Sequence, residues 1–178
     1  MDATQQLAVF THDLTFNALP PSTVGAGSRL VLDTIASAIP AWDLPGIREL
    51  RALLADWCAG SCRVWVSGEG LSPAAATLVN SAMSHAMEYD DLHSELPVHI
   101  GAVIIPVALT VAQTRPQITG AELIVAIVTG AEVMSRLGHA TRSYRGKSGF
   151  RGWNPTSVVA GFGASVTAGK LLGLDAAG

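Results

Sequence analysis

From residue 99 to residue 172 the sequence is a succession of small and aliphatic side chains, broken only by short polar turns. Its periodicity predicts helices over about 99–113, 119–141 and 155–172. Thr119-Gly120-Ala121-Glu122 has the spacing of a capping box at the start of the second. Asn154-Pro155-Thr156 opens the third, and Gly173 closes it. That last helix carries a face of Ala160, Gly161, Gly163, Ala164, Ala168 and Gly169, small enough for a neighbouring helix to approach closely. Helices of this kind bury themselves against other helices, so the fold class is mainly α, a helical bundle.

The upstream half fits the same architecture. Residues 1–23 read as an irregular N-terminal arm ending at Pro20-Pro21-Ser22-Thr23, with one helical domain over 24–178. Arg29 to Ala36 has helical spacing and stops near Pro40; a second helix starts at about Pro45 and runs through Ile47, Leu50, Leu53, Leu54 and Trp57. Ser61 to Ser67 alternates and is bounded by glycines, which makes it the one short strand expected. Ser72-Pro73 opens a helix to about Tyr89, followed by a polar loop from Asp90 to Val98.

Composition narrows the function. Hydrophobic residues make up 49% and charged residues 14%, too little polar surface to coat a free domain of this size. A homodimer, or packing against a complementary C-terminal subunit, is therefore expected. The net charge of −3 and the scattered basic residues argue against nucleic-acid binding. The N-terminus is acidic and lacks a long apolar core, unlike a signal peptide. The apolar run Ile100 to Ala112 is too short to cross a bilayer and contains Pro106, so no membrane role is expected and the cytoplasm is the expected compartment. Cys58 and Cys62 read as ordinary buried thiols at a helix end.

Functional side chains concentrate between His85 and His99, which hold three of the five histidines and four of the 14 acids. The segment starts at one helix C-terminus and ends at the next helix's N-terminus, where free amides suit a carboxylate ligand. Mixed imidazole and carboxylate groups supply a proton acceptor and a donor, and such groups also bind divalent metals. His85 and Glu88, three apart on a helical face, pair structurally on this reading. The plainer alternative is a solvated interhelix loop with incidental charge. Arg142 to Arg151 forms a basic run, which reads either as a solvated loop or as a clamp in which Arg145 or Lys147 would neutralise the carboxylates of a ligand.

Three ordered stretches resemble the MmgE/PrpD family. Asn80-Ser81-Ala82-Met83-Ser84-His85-Ala86-Met87-Glu88-Tyr89-Asp90-Asp91, then His99 and Ile104-Ile105-Pro106, is similar to its asparagine, His-Ala, aromatic-Asp-Asp, histidine and proline-bearing helix. Gly130-Ala131-Glu132-Val133 through Arg136-Leu137 resembles a second family helix, and Gly152-Trp153-Asn154-Pro155-Thr156 with Gly173-Leu174-Asp175 a third. The resemblance implies a large helical domain with a smaller α+β domain, and a cofactor-independent lyase or isomerase. Dehydration, decarboxylation or epimerisation of a small di- or tricarboxylic acid would be its reaction.

Carried over by motif, Glu88, Asp90, Asp91 and His99 would be catalytic; Asn154, with Arg145 and Lys147 of the basic run and His93 of the loop, would bind substrate, and no metal is expected. Two departures stand out. The family's Gly-Phe-His-Pro reads Gly152-Trp153-Asn154-Pro155 here, and asparagine cannot exchange a proton near neutral pH. His139 is a possible substitute, although a structural place at a helix end suits it better. Family members are also more than twice this long, so the helical domain is expected to be incomplete and the α+β domain absent. The rival expectation is a truncated, non-catalytic helical scaffold or partner subunit.

Overall fold

The computed structural model describes residues 1–141 and 153–177. Among them run α1 (Ala3–Asp13), α2 (Pro21–Ala38), α3 (Ile47–Trp57), α4 (Pro73–His85), α5 (Gly101–Thr114), α6 (Gly120–Thr141) and α7 (Pro155–Leu172). Two short strands, β1 (Ala59–Arg63) and β2 (Gly70–Leu71), pair antiparallel between α3 and α4. The mainly α bundle is as the periodicity required.

The bundle forms around α5, which packs against α2, α4, α6 and α7. Ile104, Ile105 and Ala108 of α5 are fully buried. Pro106 lies inside this helix rather than ending it. Helices α6 and α7 meet most closely, at Gly130 and Gly163. A Cβ on Gly130 would strike the Thr167 hydroxyl, and one on Gly163 would strike the Met134 side chain. Gly163 is thus the member of the small face that brings α7 onto α6, whereas a Cβ on Gly161 would meet nothing. By length and composition alone α6 would also pass for a membrane span, yet Val125, Ala126, Ile127, Val133 and Met134 on it are core residues.

Apolar residues form two clusters. One joins the end of α2, α3, the strands and α4 through Ala38, Ile47, Cys62, Leu71, Val79 and Met83. The other joins α5, α6 and α7 through Ile104, Ile105, Ile127, Met134 and Val159. Trp65 touches both. Asn80 of α4, fully buried, pins the strand connection to the bundle: its Oδ1 accepts from Trp65 N at 2.9 Å and its Nδ2 donates to Arg63 O at 3.1 Å. Both cysteines are free thiols, Cys62 buried and Cys58 partly so.

Three expectations need correction. Residues 3–13, expected to be irregular, form a helix. A capping box holds its start, with Asp2 accepting from Gln5 N at 2.9 Å and Gln5 Oε1 accepting from Asp2 N at 3.1 Å. No residue of α1 is buried, which is why no apolar stripe announced it. The strand sits two residues earlier than expected and has a partner, because Val66, with φ of 68°, turns the chain back toward Gly70. Finally, α4 ends at His85 rather than near Tyr89. The capping box predicted at α6 is present: Thr119 N donates to Glu122 Oε2 at 2.7 Å, and Glu122 N to Thr119 Oγ1 at 3.3 Å.

Candidate active site

The early end of α4 creates the site. Glu88 adopts the left-handed conformation, φ 48°, and its amide bonds back to His85 O at 2.9 Å. This reversal turns Glu88 out to solvent and returns the chain so that Asp90 lies under His85. His85 Nδ1 stands 3.0 Å from Asp90 Oδ1 and 3.2 Å from Oδ2. The expected His85–Glu88 pair gives way to a His85–Asp90 pair. Asp90's side chain is fully buried.

His99 joins from the far end of the loop. Its Nδ1 is 3.3 Å from Asp90 Oδ2, within ion-pair range. The contact is off the line of a hydrogen bond, and that buried nitrogen has no hydrogen-bond partner. The His85 and His99 rings stand 4.5 Å apart at 59°. One carboxylate therefore faces two imidazoles, His85 the more open at 40% exposed and His99 at 21%.

The loop is no solvated strap. Leu96 and Val98 are buried in the α5–α7 core, and Leu96 fits against Gly138 of α6. Asp91 completes the anchoring. Its carboxylate accepts from Ile100 N at 3.1 Å and Gly101 N at 2.7 Å, and so occupies the α5 N-terminus that the sequence offered to a ligand. Gly101 must be glycine, since a Cβ there would strike the Thr34 hydroxyl and the Asp91 carboxylate. Burial pushes the Asp91 carboxyl above its usual range, with Asp90 and Asp33 adding to the effect; the two amides pull the other way.

Helix α7 closes one side. Thr156 Oγ1 accepts from His99 N at 3.0 Å, joining the Asn-Pro-Thr start of α7 to the histidine. Asn154 caps that helix, its Oδ1 accepting from Ser157 N at 3.1 Å. His93 belongs to a separate group. Its Nδ1 accepts from Glu95 N at 3.2 Å, and its ring meets His139 edge-on at 5.6 Å. His139 lies in the last turn of α6, its Nε2 3.9 Å from Glu95 Oε2. Arg145 and Lys147 fall outside the described residues.

The structure thus gathers Asp90, Asp91 and His99, leaves Glu88 exposed beside them and sets His93 with His139. Sequence reasoning missed His85 and Thr156 as site residues. Both lie inside the motifs, but only the reversal at Glu88 and the docking of α7 show what they touch. Among the described residues, His85, Asp90 and His99 each offer a ligand atom, all within 4.8 Å of one another, a spacing that a divalent ion could bridge.

The described residues form a mainly helical domain with a buried carboxylate facing two histidines. The chain belongs to the MmgE/PrpD family: residues 5–178 match the MmgE/PrpD N-terminal domain. It is 30% identical over 176 residues to a cis-aconitate decarboxylase of Aspergillus terreus, covering 96% of this chain and 36% of that protein. The mouse cis-aconitate decarboxylase is 27% identical over 177 residues, covering 97% and 36%. The human one is 26% identical over 181 residues, covering 97% and 36%. The chain thus spans about a third of the length of these curated relatives.

Proposed function

We propose that this chain supplies one wall of the active site of a lyase acting on a small tricarboxylic acid, with decarboxylation of cis-aconitate as the leading reaction. The observation that carries this is His99, whose ring faces Asp90 at 3.3 Å and whose backbone amide is bonded to Thr156. With Nδ1 turned inward and buried, Nε2 is the nitrogen left to exchange a proton with substrate. Loss of carbon dioxide leaves an electron pair on the adjacent carbon; that pair takes a proton, and His99 is placed to give it.

Asn154 cannot replace a histidine in this step, because its Oδ1 caps α7 and an amide does not titrate near neutrality. The proton demand therefore falls on His99. Arg145 and Lys147 neutralise substrate carboxylates in this reading, and Glu88, on the rim, bounds the entrance. Asp91 holds the loop against α5 and positions the site without exchanging protons. The other wall comes from further polypeptide, a second copy or a complementary subunit. Exposed Leu78, Trp153 and Phe162 supply apolar surface for that contact.

The test is a decarboxylation assay on the native protein with cis-aconitate. His99→Ala should reduce turnover about tenfold or more while far-UV circular dichroism stays unchanged. Normal turnover in that variant would remove His99 from the mechanism. Saturable binding of cis-aconitate by the native protein without any turnover would favour the scaffold reading, which the cap engagement of Asn154 supports.

A further inference from the structure

Helix α1 lies over α6 and α7 without sealing against them. None of its residues is buried, and a cleft of about 310 Å³ separates the three helices. Its walls are apolar: Leu7 and Ala8 of α1, Val133 and Leu137 of α6, Phe162 and Val166 of α7. Phe162 is 59% exposed, so folding leaves part of this apolar surface uncovered. An opening of this size and lining suits a small organic molecule.

Lys170 gives the cleft a polar end, about two turns beyond Phe162 on α7. Its ammonium has three hydrogens. Two go to the carbonyls of Thr11 and His12 at the C-terminus of α1, and among the described residues the third has no acceptor. Burial holds this ammonium below its usual range, against the opposing pull of Asp13. Two acids stand nearby, but both are engaged and exposed: Asp13 lies 2.8 Å from His12 Nδ1, and Asp175 accepts from Ala177 N at 2.9 Å. Solvent screens them more than it screens the half-buried cation. A carboxylate on Lys170 would supply the counter-charge that the site lacks. The larger opening between α4, α5 and α7 is lined by no charged side chain and offers no such anchor.

We propose that the cleft under α1 is a second ligand site, for a medium-chain carboxylate whose chain lies between α1, α6 and α7 and whose head sits on Lys170. The site is separate from the one around His99. Thr156, which bonds His99, is at the other end of α7, about 20 Å from Lys170 at about 1.5 Å per residue. The proposal therefore stands whether or not His99 exchanges a proton with substrate. A bound chain covers Phe162 and joins α1 to α6 and α7, so it stabilises the one helix that lacks a core of its own.

The experiment is calorimetric titration of the native protein with octanoate and with octanol. Octanoate should bind saturably, at a single site per chain, and about tenfold or more tightly than the alcohol. Equal affinities would take Lys170 out of the site and overturn the proposal. Absence of octanoate binding, as when other polypeptide fills the cleft, would overturn it too. Hydrogen exchange locates the ligand: bound octanoate should slow exchange across α1, and unchanged exchange there would place it elsewhere. Ala8→Trp fills the cleft from a helix with no buried residue, so far-UV circular dichroism should stay that of wild type. Octanoate affinity should fall about tenfold or more in this variant, and undiminished affinity would sink the assignment. Lys170→Met alone is a weaker test, because it also frees the end of α1.

Discussion

At the scale of single residues, the polar groups that matter most for folding are those the family pattern made conspicuous for other reasons. Asn80 opens the motif, yet both ends of its side chain are consumed by the backbone at Arg63 and Trp65. Asn80→Ala leaves a part-buried amide and carbonyl without their side-chain partner and should cost about 1–3 kcal/mol, read as a lower urea midpoint. Asp91 gives a pH signature. Its native carboxyl is raised above the unfolded value, so the native state holds that proton more tightly. Its contribution is fully present below the unfolded value near 3.8 and is lost as pH rises through the raised native one. Asp91→Asn should remove that part of the slope of stability against pH, measured by denaturation across the acid range. An unchanged slope would mean that the two amides outweigh burial.

At the scale of elements, α1 and α7 illustrate opposite kinds of stability. Helix α1 has no fully buried residue and is tied down by Lys170, whose Nζ donates to Thr11 O at 2.8 Å and His12 O at 2.5 Å, and by Arg136, which lies over the Phe10 ring at 5.5 Å. Lys170→Met should therefore speed amide exchange throughout α1 while changing global stability by less than about 1 kcal/mol. Protection of α1 equal to wild type would show that another contact holds it. Helix α7, in contrast, is fixed by backbone approach at Gly130 and Gly163. Gly163→Leu should force α7 off α6 and cost about 3 kcal/mol or more, with Thr156 drawn away from His99. Thermal unfolding and turnover should then fall together.

For the whole molecule, the two apolar clusters meet at Trp65, and the loop carrying Asp90 and His99 runs from α4, which contributes Val79 and Met83 to one, to α5, which contributes Ile104 and Ile105 to the other. The site is therefore only as ordered as the contact between the clusters. Tryptophan fluorescence and far-UV circular dichroism should report a single coincident transition in urea. Two separated transitions would mean that the clusters unfold independently and that the site is lost in the first. A cavity of about 600 Å³ between α4, α5 and α7 and one of about 310 Å³ between α1, α6 and α7 are lined by none of the site residues, so neither opening marks the chemistry here.

The sequence by itself determined the helices from Gly101 onward, since long apolar periodicity and the Thr119–Glu122 box leave little alternative. It also determined the family, through motifs spread in order along the chain. It placed Asp90, Asp91 and His99 in one segment, yet could not divide their tasks. That division was decided by the tertiary structure: the left-handed turn at Glu88 sends Asp90 under two histidines and hands Asp91 to the α5 amides. Adjacent residues in a chain reversal point to different neighbours, and which neighbours those are depends on elements far away in sequence. Asn80 and Thr156 act on partners 15 and 57 residues distant, and local pattern carries no trace of such contacts.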